Sequence, residues 1–211
     1  MRPRRHGAWS RGPSTSPLAA VSAINYPRHF ALLAVAAVAL FFIEPLSFPP
    51  WLARFTFFFT LFGALHAVAL VAALRAGALW RRAAFVVVTS ALSGVVPYAG
   101  IALARLVSLD AVALIAAMAF GSLVGASGYW LLVRTFWFSK LNSRDGAIAV
   151  SLCVGATVSG FVLAVVLSGF GSHNSVVTDL LPTVFWWYAF SYSLWRSERP
   201  GTAANNRWRG P

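Results

Sequence analysis

Six apolar runs, separated by short polar or charged connections, account for most of the chain. A helix that crosses the hydrocarbon core of a bilayer needs about 20 residues, with a lower limit of about 17. The pattern therefore predicts an all-α, polytopic integral membrane protein. Its six transmembrane helices are predicted at about residues 26–43, 55–74, 83–104, 111–133, 147–170 and 179–195. The basic, polar ends of the chain, residues 1–25 and 196–211, are predicted to be disordered tails.

Composition supports this class of protein and excludes others. Hydrophobic residues make up 59% of the 211 residues and charged residues only 10%, whereas soluble domains are about one-quarter charged. No room is left outside the apolar runs for a soluble catalytic domain. The single cysteine, Cys153, excludes an internal disulfide and a cysteine-based metal cage. We expect neither a metal nor another cofactor.

The basic residues predict the orientation of the chain. Of the 17 Lys and Arg residues, fifteen belong to the two ends of the chain and to the second and fourth connections, leaving only Arg54 and Arg105 for the other side. Positive residues mark the cytoplasmic side, so both termini are predicted to be cytoplasmic. Because the charges flank apolar runs and form no basic patch on a folded domain, nucleic acid is not an expected partner. Abundant arginine beside the single Lys140 is typical of a GC-rich bacterial genome, which places the protein in a bacterial inner membrane.

Small residues recur at helical spacing in the fourth and fifth spans. The first row starts at Ala117 and continues through Gly121, Gly125 and Gly128, and the second consists of Ser151, Gly155 and Ser159. Each interior glycine costs a helix in water about 1 kcal/mol relative to alanine, but in lipid small residues let two helices approach closely. We interpret the rows as the surfaces through which spans four and five pack on each other. A substrate path between these spans is the alternative.

His66 is the one ionisable side chain predicted near the centre of a span. An ionisable group at that depth is a functional hypothesis, because its burial is costly. Histidine can also stay neutral and bond a hydroxyl or a carbonyl of a neighbouring helix. No second intramembrane histidine is expected, which argues against a haem or metal site. We therefore expect a structural role, in which His66→Gln leaves folding and activity nearly intact.

The predicted outer side carries a small set of polar residues. Asp110 and Asp179 are predicted at helix N-termini, where capping and the helix dipole favour a carboxylate, and the arginines can pair with nearby acids. Together the residues can also form a shallow polar mouth that admits a solute or a proton. This outer polar set comprises Glu44, Arg54, Arg105, Asp110, His173 and Asp179.

The segment Gly125-Ala126-Ser127-Gly128 resembles the serine motif of the rhomboid intramembrane proteases, which also have six spans. The resemblance implies that Ser127 is a nucleophile and that a histidine of another helix is its base. In that family the histidine lies in span six, whereas here span six has none and His173 lies in the loop before it. Since the motif lacks its partner, we expect no enzymatic activity, and a degenerate rhomboid-like hydrolase is only the third hypothesis.

The sixth span is dense in aromatic residues, and Trp186 and Trp187 are predicted to face lipid or another protein's helix. Packing grooves and an aromatic surface with few buried polar groups suit a partner-dependent accessory or assembly protein. We expect such a protein, embedded in the lipid bilayer and bound to another membrane protein or to a second copy of itself. The alternative is a transporter of a small solute, a proton or a lipid that uses His66 and the outer polar set.

Overall fold

The computed structural model describes residues 24–43, 51–75, 77–107, 111–138, 142–168 and 175–198. These residues form six α-helices: α1 (Tyr26–Ile43), α2 (Trp51–Ala73), α3 (Leu79–Val107), α4 (Ala111–Phe136), α5 (Ser143–Ser168) and α6 (Ser175–Glu198). The all-α prediction is thereby confirmed for the described part of the chain. Of the two predicted tails, residues 1–23 and 199–211 lie outside the described residues, and residues 196–198 belong to α6.

Three of the helices contain stretches that are long and apolar enough to cross a membrane. These stretches are Leu79–Val96 in α3, Ile115–Phe136 in α4 and Ser143–Leu167 in α5. The described apolar parts of α1 and α2 are shorter, at Tyr26–Leu40 and Phe57–Ala73. The helices and the composition are those of a helical membrane protein.

Asparagine side chains cap two of the helices. Oδ1 of Asn25 accepts a hydrogen bond from the backbone N–H of Arg28 at 3.3 Å before α1, and Oδ1 of Asn142 accepts one from Asp145 at 2.8 Å before α5. Such a cap satisfies a backbone donor that the first helical turn leaves free. The cap explains why α5 begins at Ser143, ahead of the apolar run.

The start of α6 corrects the role predicted for Asp179. The helix runs from Ser175, so Asp179 and Pro182 lie within it and not at its N-terminus. In membrane helices an interior proline is tolerated where a neighbouring helix compensates for the lost backbone bond. Here Gly160 of α5 faces it, since a Cβ added to Gly160 would lie 2.8 Å from Cα of Pro182. This pair therefore marks a close crossing of α5 and α6.

Helices that follow one another in the chain pack on one another, and α1 also packs on α6. The backbone N–H of Asn25 donates to the carbonyl of Ala73 at 2.9 Å, so the start of α1 lies beside the end of α2. In this antiparallel pair, a residue one turn into α1 lies opposite a residue one turn before the end of α2. The register brings His29 beside Ala69, whose carbonyl faces the imidazole.

The small-residue row of α4 packs on α3, and not on α5 as predicted. A Cβ added to Gly125 would lie 3.2 Å from Cγ1 of Val96, and one added to Gly128 would lie 2.9 Å from Cδ2 of Leu92. Around Gly121, an added Cβ would meet no neighbouring described atom within 4 Å. The prediction was wrong because small residues specify a close approach but not the partner, and α4 has a neighbour on either side.

The small-residue row of α5 does not form the α4–α5 interface either. Its members, Ser151, Gly155 and Ser159, all lie on the exposed face of the helix. The buried contacts between α4 and α5 include a hydroxyl pair instead, in which Oγ1 of Thr157 lies 3.0 Å from Oγ of Ser122. Thr157 also bonds the carbonyl of Cys153 in its own helix at 2.9 Å. The two helices are thus joined by a polar contact.

Candidate functional site

His66 of α2 is buried, with 1% of its surface exposed, and both of its ring nitrogens face hydroxyl groups. Nδ1 lies 2.7 Å from the hydroxyl of Tyr129 in α4. Nε2 lies 3.4 Å from Oγ of Ser191 in α6. Its depth in an apolar run predicted the burial of His66, but neither partner was predicted. Nothing in the sequence around Tyr129 and Ser191 distinguishes them from other tyrosines and serines in the apolar runs.

A second histidine lies beside the first, which corrects the expectation of a single intramembrane histidine. His29 of α1 is fully buried, and its ring centroid is 5.8 Å from that of His66 in an edge-on arrangement. Its Nε2 lies 2.8 Å from Oγ of Ser191. The sequence places His29 at the start of the first apolar run, next to Arg28. In the structure it lies in the first turn of α1, which packs beside the end of α2.

Ser191 therefore joins the two histidines, and four helices contribute to one hydrogen-bonded series. We call the series His29, Ser191, His66 and Tyr129 the polar chain. His29 lies in the first turn of α1, while the other three lie about two turns before the C-terminal ends of their helices. All four side chains are buried. Hydrogen bonds between membrane helices contribute about 0.6–2 kcal/mol each, so the polar chain also holds the bundle together.

Aromatic rings enclose the polar chain. The ring centroids of Tyr129, Trp186, Trp187 and Phe190 lie between 5.0 and 6.1 Å from that of His66. Trp187 is 2% exposed, and Trp186 stacks on Phe190 at 5.4 Å. The prediction that both tryptophans face lipid or a partner was therefore wrong for Trp187, whereas Trp186 stays partly exposed.

One nitrogen of the polar chain makes no hydrogen bond to the described residues, although the carbonyl of Ala69 faces its ring. Nδ1 of His29 is buried and makes no hydrogen bond to any residue that the structure describes. The other ring nitrogens of the two histidines all lie near hydroxyls. Because a neutral imidazole has one donor and one acceptor, the free Nδ1 is either an unused N–H group or an unused lone pair.

The outer polar set is not assembled by the described residues. Glu44, Asp110 and His173 lie outside them, and for Arg54, Arg105 and Asp179 only the helical backbone is described. The shallow polar mouth therefore stays a prediction. The polar chain, by contrast, lies near the ends of its helices that are opposite to the predicted outer side.

The described residues also bear on metal binding and on the serine of the rhomboid-like segment. In the described ranges, no group of three or more His, Cys, Asp or Glu side chains is arranged to hold a metal ion. Ser127 is half-buried in α4, and the histidines of the described helices bond Ser191 and Tyr129 instead. The serine that contacts histidine is therefore not the serine of the rhomboid-like segment.

No protein family, curated protein or solved structure matches this chain. The fold and the polar chain define its class, a helical membrane protein with two buried histidines that face one serine hydroxyl in its interior. Its function must be inferred from its own residues.

Proposed function

We propose that the protein is a six-span protein of a bacterial cytoplasmic membrane, with both termini in the cytoplasm. The alternation of basic connections supports this orientation, because fifteen of the 17 Lys and Arg residues then lie on one side. The described start of α1 lies beside the end of α2, as expected for successive antiparallel spans. In this orientation the polar chain lies in the cytoplasmic half of the membrane.

We further propose that the protein moves protons across this membrane. The observation that carries the proposal is the position of Ser191 Oγ, 2.8 Å from Nε2 of His29 and 3.4 Å from Nε2 of His66. Ionisable residues inside a membrane are costly and mark ion or proton pathways. Every member of the polar chain can both donate and accept a proton. A site that served packing alone would not need four such groups in series.

The second histidine reverses the order of the two hypotheses drawn from sequence. An accessory protein was favoured there because His66 stood alone among ionisable groups within the spans. With His29, Ser191 and Tyr129 added, the interior has the polar groups that a transport path needs. Ser122 lies two turns before Tyr129 in α4, toward the predicted outer side. It forms a second buried hydroxyl pair with Thr157. The proposed role assigns no chemical reaction to the chain.

Proton flux into vesicles tests this function directly. The protein is reconstituted into liposomes that contain the pH-sensitive dye pyranine, and a potassium gradient with valinomycin supplies the membrane potential. We expect a rate of internal acidification that rises with the amount of protein and is lost in His66→Gln. The matched control is Ser193→Ala, since Ser193 is buried on the same helix as Ser191 but bonds only the carbonyl of Phe190. Folded wild-type protein with no more flux than empty vesicles would contradict the proposal.

An accessory role is the second candidate, and the exposed row of α5 is the observation that favours it. Ser151, Gly155 and Ser159 line one face, and an added Cβ at Gly155 would meet no described neighbour within 4 Å. Small residues at this spacing let another helix approach closely. We expect Gly155→Leu to abolish any stoichiometric complex seen by native mass spectrometry. Leu167→Ile, a change at an exposed position about 120° away from Gly155 around α5, should preserve it. Recovery of the wild-type protein as a monomer would exclude this role.

A further inference from the structure

We infer that the polar chain is a proton wire with two defined ends, Nδ1 of His29 and the hydroxyl of Tyr129. This inference rests on the proposed proton transport and names the route. It follows from the geometry around Ser191 and from the number of hydrogens that each group has. The three contacts of the chain measure 2.8, 3.4 and 2.7 Å in order from His29 to Tyr129.

The single hydroxyl hydrogen of Ser191 sets the direction of the hydrogen bonds along the polar chain. Ser191 lies between two Nε2 atoms and can donate to only one of them while it accepts from the other. If it donates to His29, then His66 donates to it from Nε2 and must accept at Nδ1. The hydroxyl of Tyr129 then donates to that Nδ1. In this first arrangement, the proton of His29 is on Nδ1.

The second arrangement reverses every donor. Nε2 of His29 donates to Ser191, and Ser191 donates to Nε2 of His66. Nδ1 of His66 then carries the hydrogen that faces the oxygen of Tyr129. Nδ1 of His29 is left as a lone pair without a partner. The heavy-atom positions accommodate both arrangements, since hydrogen positions follow from the network and not from the coordinates.

One proton converts the second arrangement into the first. It binds to Nδ1 of His29, whose Nε2 proton passes to Ser191. The original hydroxyl proton of Ser191 passes to Nε2 of His66, whose Nδ1 proton passes to the oxygen of Tyr129. The phenolic proton of Tyr129 passes to a water molecule at that end of the polar chain. One proton has entered and one has left, and no net charge stays on the polar chain. The second arrangement returns when both hydroxyls rotate and each imidazole releases the hydrogen of one ring nitrogen and takes one up from water at the other.

The surroundings distinguish the two ends. Tyr26, one turn before His29 on α1, lies on the same helix face, and the carboxylate of Glu198 in α6 is close enough to act on its hydroxyl. This end is therefore near the helix termini and an acidic group. At the other end, Phe85 of α3 and Phe190 of α6 pack edge-on against the Tyr129 ring.

Few other polar groups of the packed elements face the wire. The Ala69 carbonyl of α2 faces His29, and the Trp187 carbonyl of α6 faces His66. On α5, the thiol of Cys153 lies 3.9 Å from the carbonyl of Trp186. None of these groups replaces Ser191 as the link between the two imidazoles, so the wire depends on that one hydroxyl.

Substitutions of Ser191 distinguish a proton wire from two histidines that act independently. Ser191→Ala keeps both imidazoles and removes the bridge, Ser191→Thr keeps a hydroxyl, and Ser193→Ala is the matched control. In the pyranine assay we expect Ser191→Ala to lose at least about tenfold in flux, as for removal of a proton-transfer group. Ser191→Thr should recover part of the rate, and Ser193→Ala should stay within about twofold of wild type.

The outcomes distinguish failure of the wire from failure of the function. If wild-type protein conducts protons and folded Ser191→Ala conducts within about twofold of it, the wire is wrong while proton transport stands. If wild-type protein carries no protons, the proposed function itself fails. Should Ser191→Ala not fold, Tyr129→Phe removes the hydroxyl at the end of the wire while keeping the ring. A wild-type flux in Tyr129→Phe would then overturn the wire.

Discussion

The imidazoles of His29 and His66 meet in the interior with ring centroids 5.8 Å apart and planes inclined by 77°. They belong to successive helices, and the contact between Asn25 and Ala73 at the end of that helix pair sets their register. Neither ring bonds the other, because Ser191 of α6 lies between their Nε2 atoms. The histidine pair thus depends on three helices at once, which links the proposed proton transfer to the packing of the bundle.

Substitutions of His66 should separate its contribution to function from its contribution to stability. His66→Gln keeps an amide that can bond one of its two hydroxyl partners, so we expect a folded protein with no proton flux. His66→Leu strands the buried hydroxyl of Tyr129 and should lower the free energy of unfolding by about 1–3 kcal/mol. Unfolding in detergent and flux in vesicles measure the two effects. Unchanged flux in His66→Gln would support the purely structural role that the sequence alone favoured.

The two histidines should be coupled in stability through Ser191. We expect the unfolding free energies of His29→Leu and His66→Leu to be non-additive by about 1 kcal/mol, because each removes a partner from the same hydroxyl. A double-mutant cycle by unfolding in detergent micelles measures this coupling. As a control, His66→Leu combined with Thr157→Val, which alters the separate α4–α5 contact, should be additive within about 0.5 kcal/mol. Additivity of the histidine pair would show that Ser191 does not link them.

Two glycines with different surroundings should respond differently to alanine. A Cβ at Gly160 would lie 2.8 Å from Cα of Pro182 and 3.0 Å from the carbonyl oxygen of Leu181, which are backbone atoms that cannot rotate away. Gly160→Ala should therefore destabilise the protein by about 1–3 kcal/mol. Gly121→Ala meets no such neighbour and should be neutral or stabilising by up to about 1 kcal/mol. Thermal unfolding in detergent compares them, and equal stability of the two variants would contradict the close crossing of α5 and α6.

The positions of the helices could be predicted from hydrophobic pattern, but not where all of them end. The bounds of α1 agree with the predicted first span because its apolar run directly follows the capping Asn25. The start of α5 does not agree, since Asn142 caps a turn of polar residues that hydropathy assigns to the connection. Likewise α6 begins at Ser175, ahead of the predicted start at Asp179. Capping and helix packing set these ends, and hydropathy measures neither.

Of the four residues of the candidate site, only His66 could be predicted from the sequence. A histidine in the middle of an apolar run departs from its surroundings, whereas His29 stands next to Arg28 at the start of one. Its burial depends on the register of α1 against α2, which is a tertiary property. Ser191 is a candidate only because two imidazoles approach its hydroxyl, a contact that the sequence does not show. The small-residue rows failed for a related reason, because their spacing does not identify the helix that fills them.

The orientation of the chain can be tested independently of any function. In a background in which Cys153, buried in α5, is replaced by alanine, single cysteines are introduced at positions 48, 108 and 174. Six spans with cytoplasmic termini predict that a membrane-impermeant maleimide labels all three from outside intact cells. Asn142→Cys, in an exposed position between α4 and α5, should be labelled only after the membrane is permeabilised. Protection of position 48, 108 or 174 in intact cells, with labelling after permeabilisation, would overturn this topology. The His29 end of the polar chain would then no longer be assigned to the cytoplasmic side.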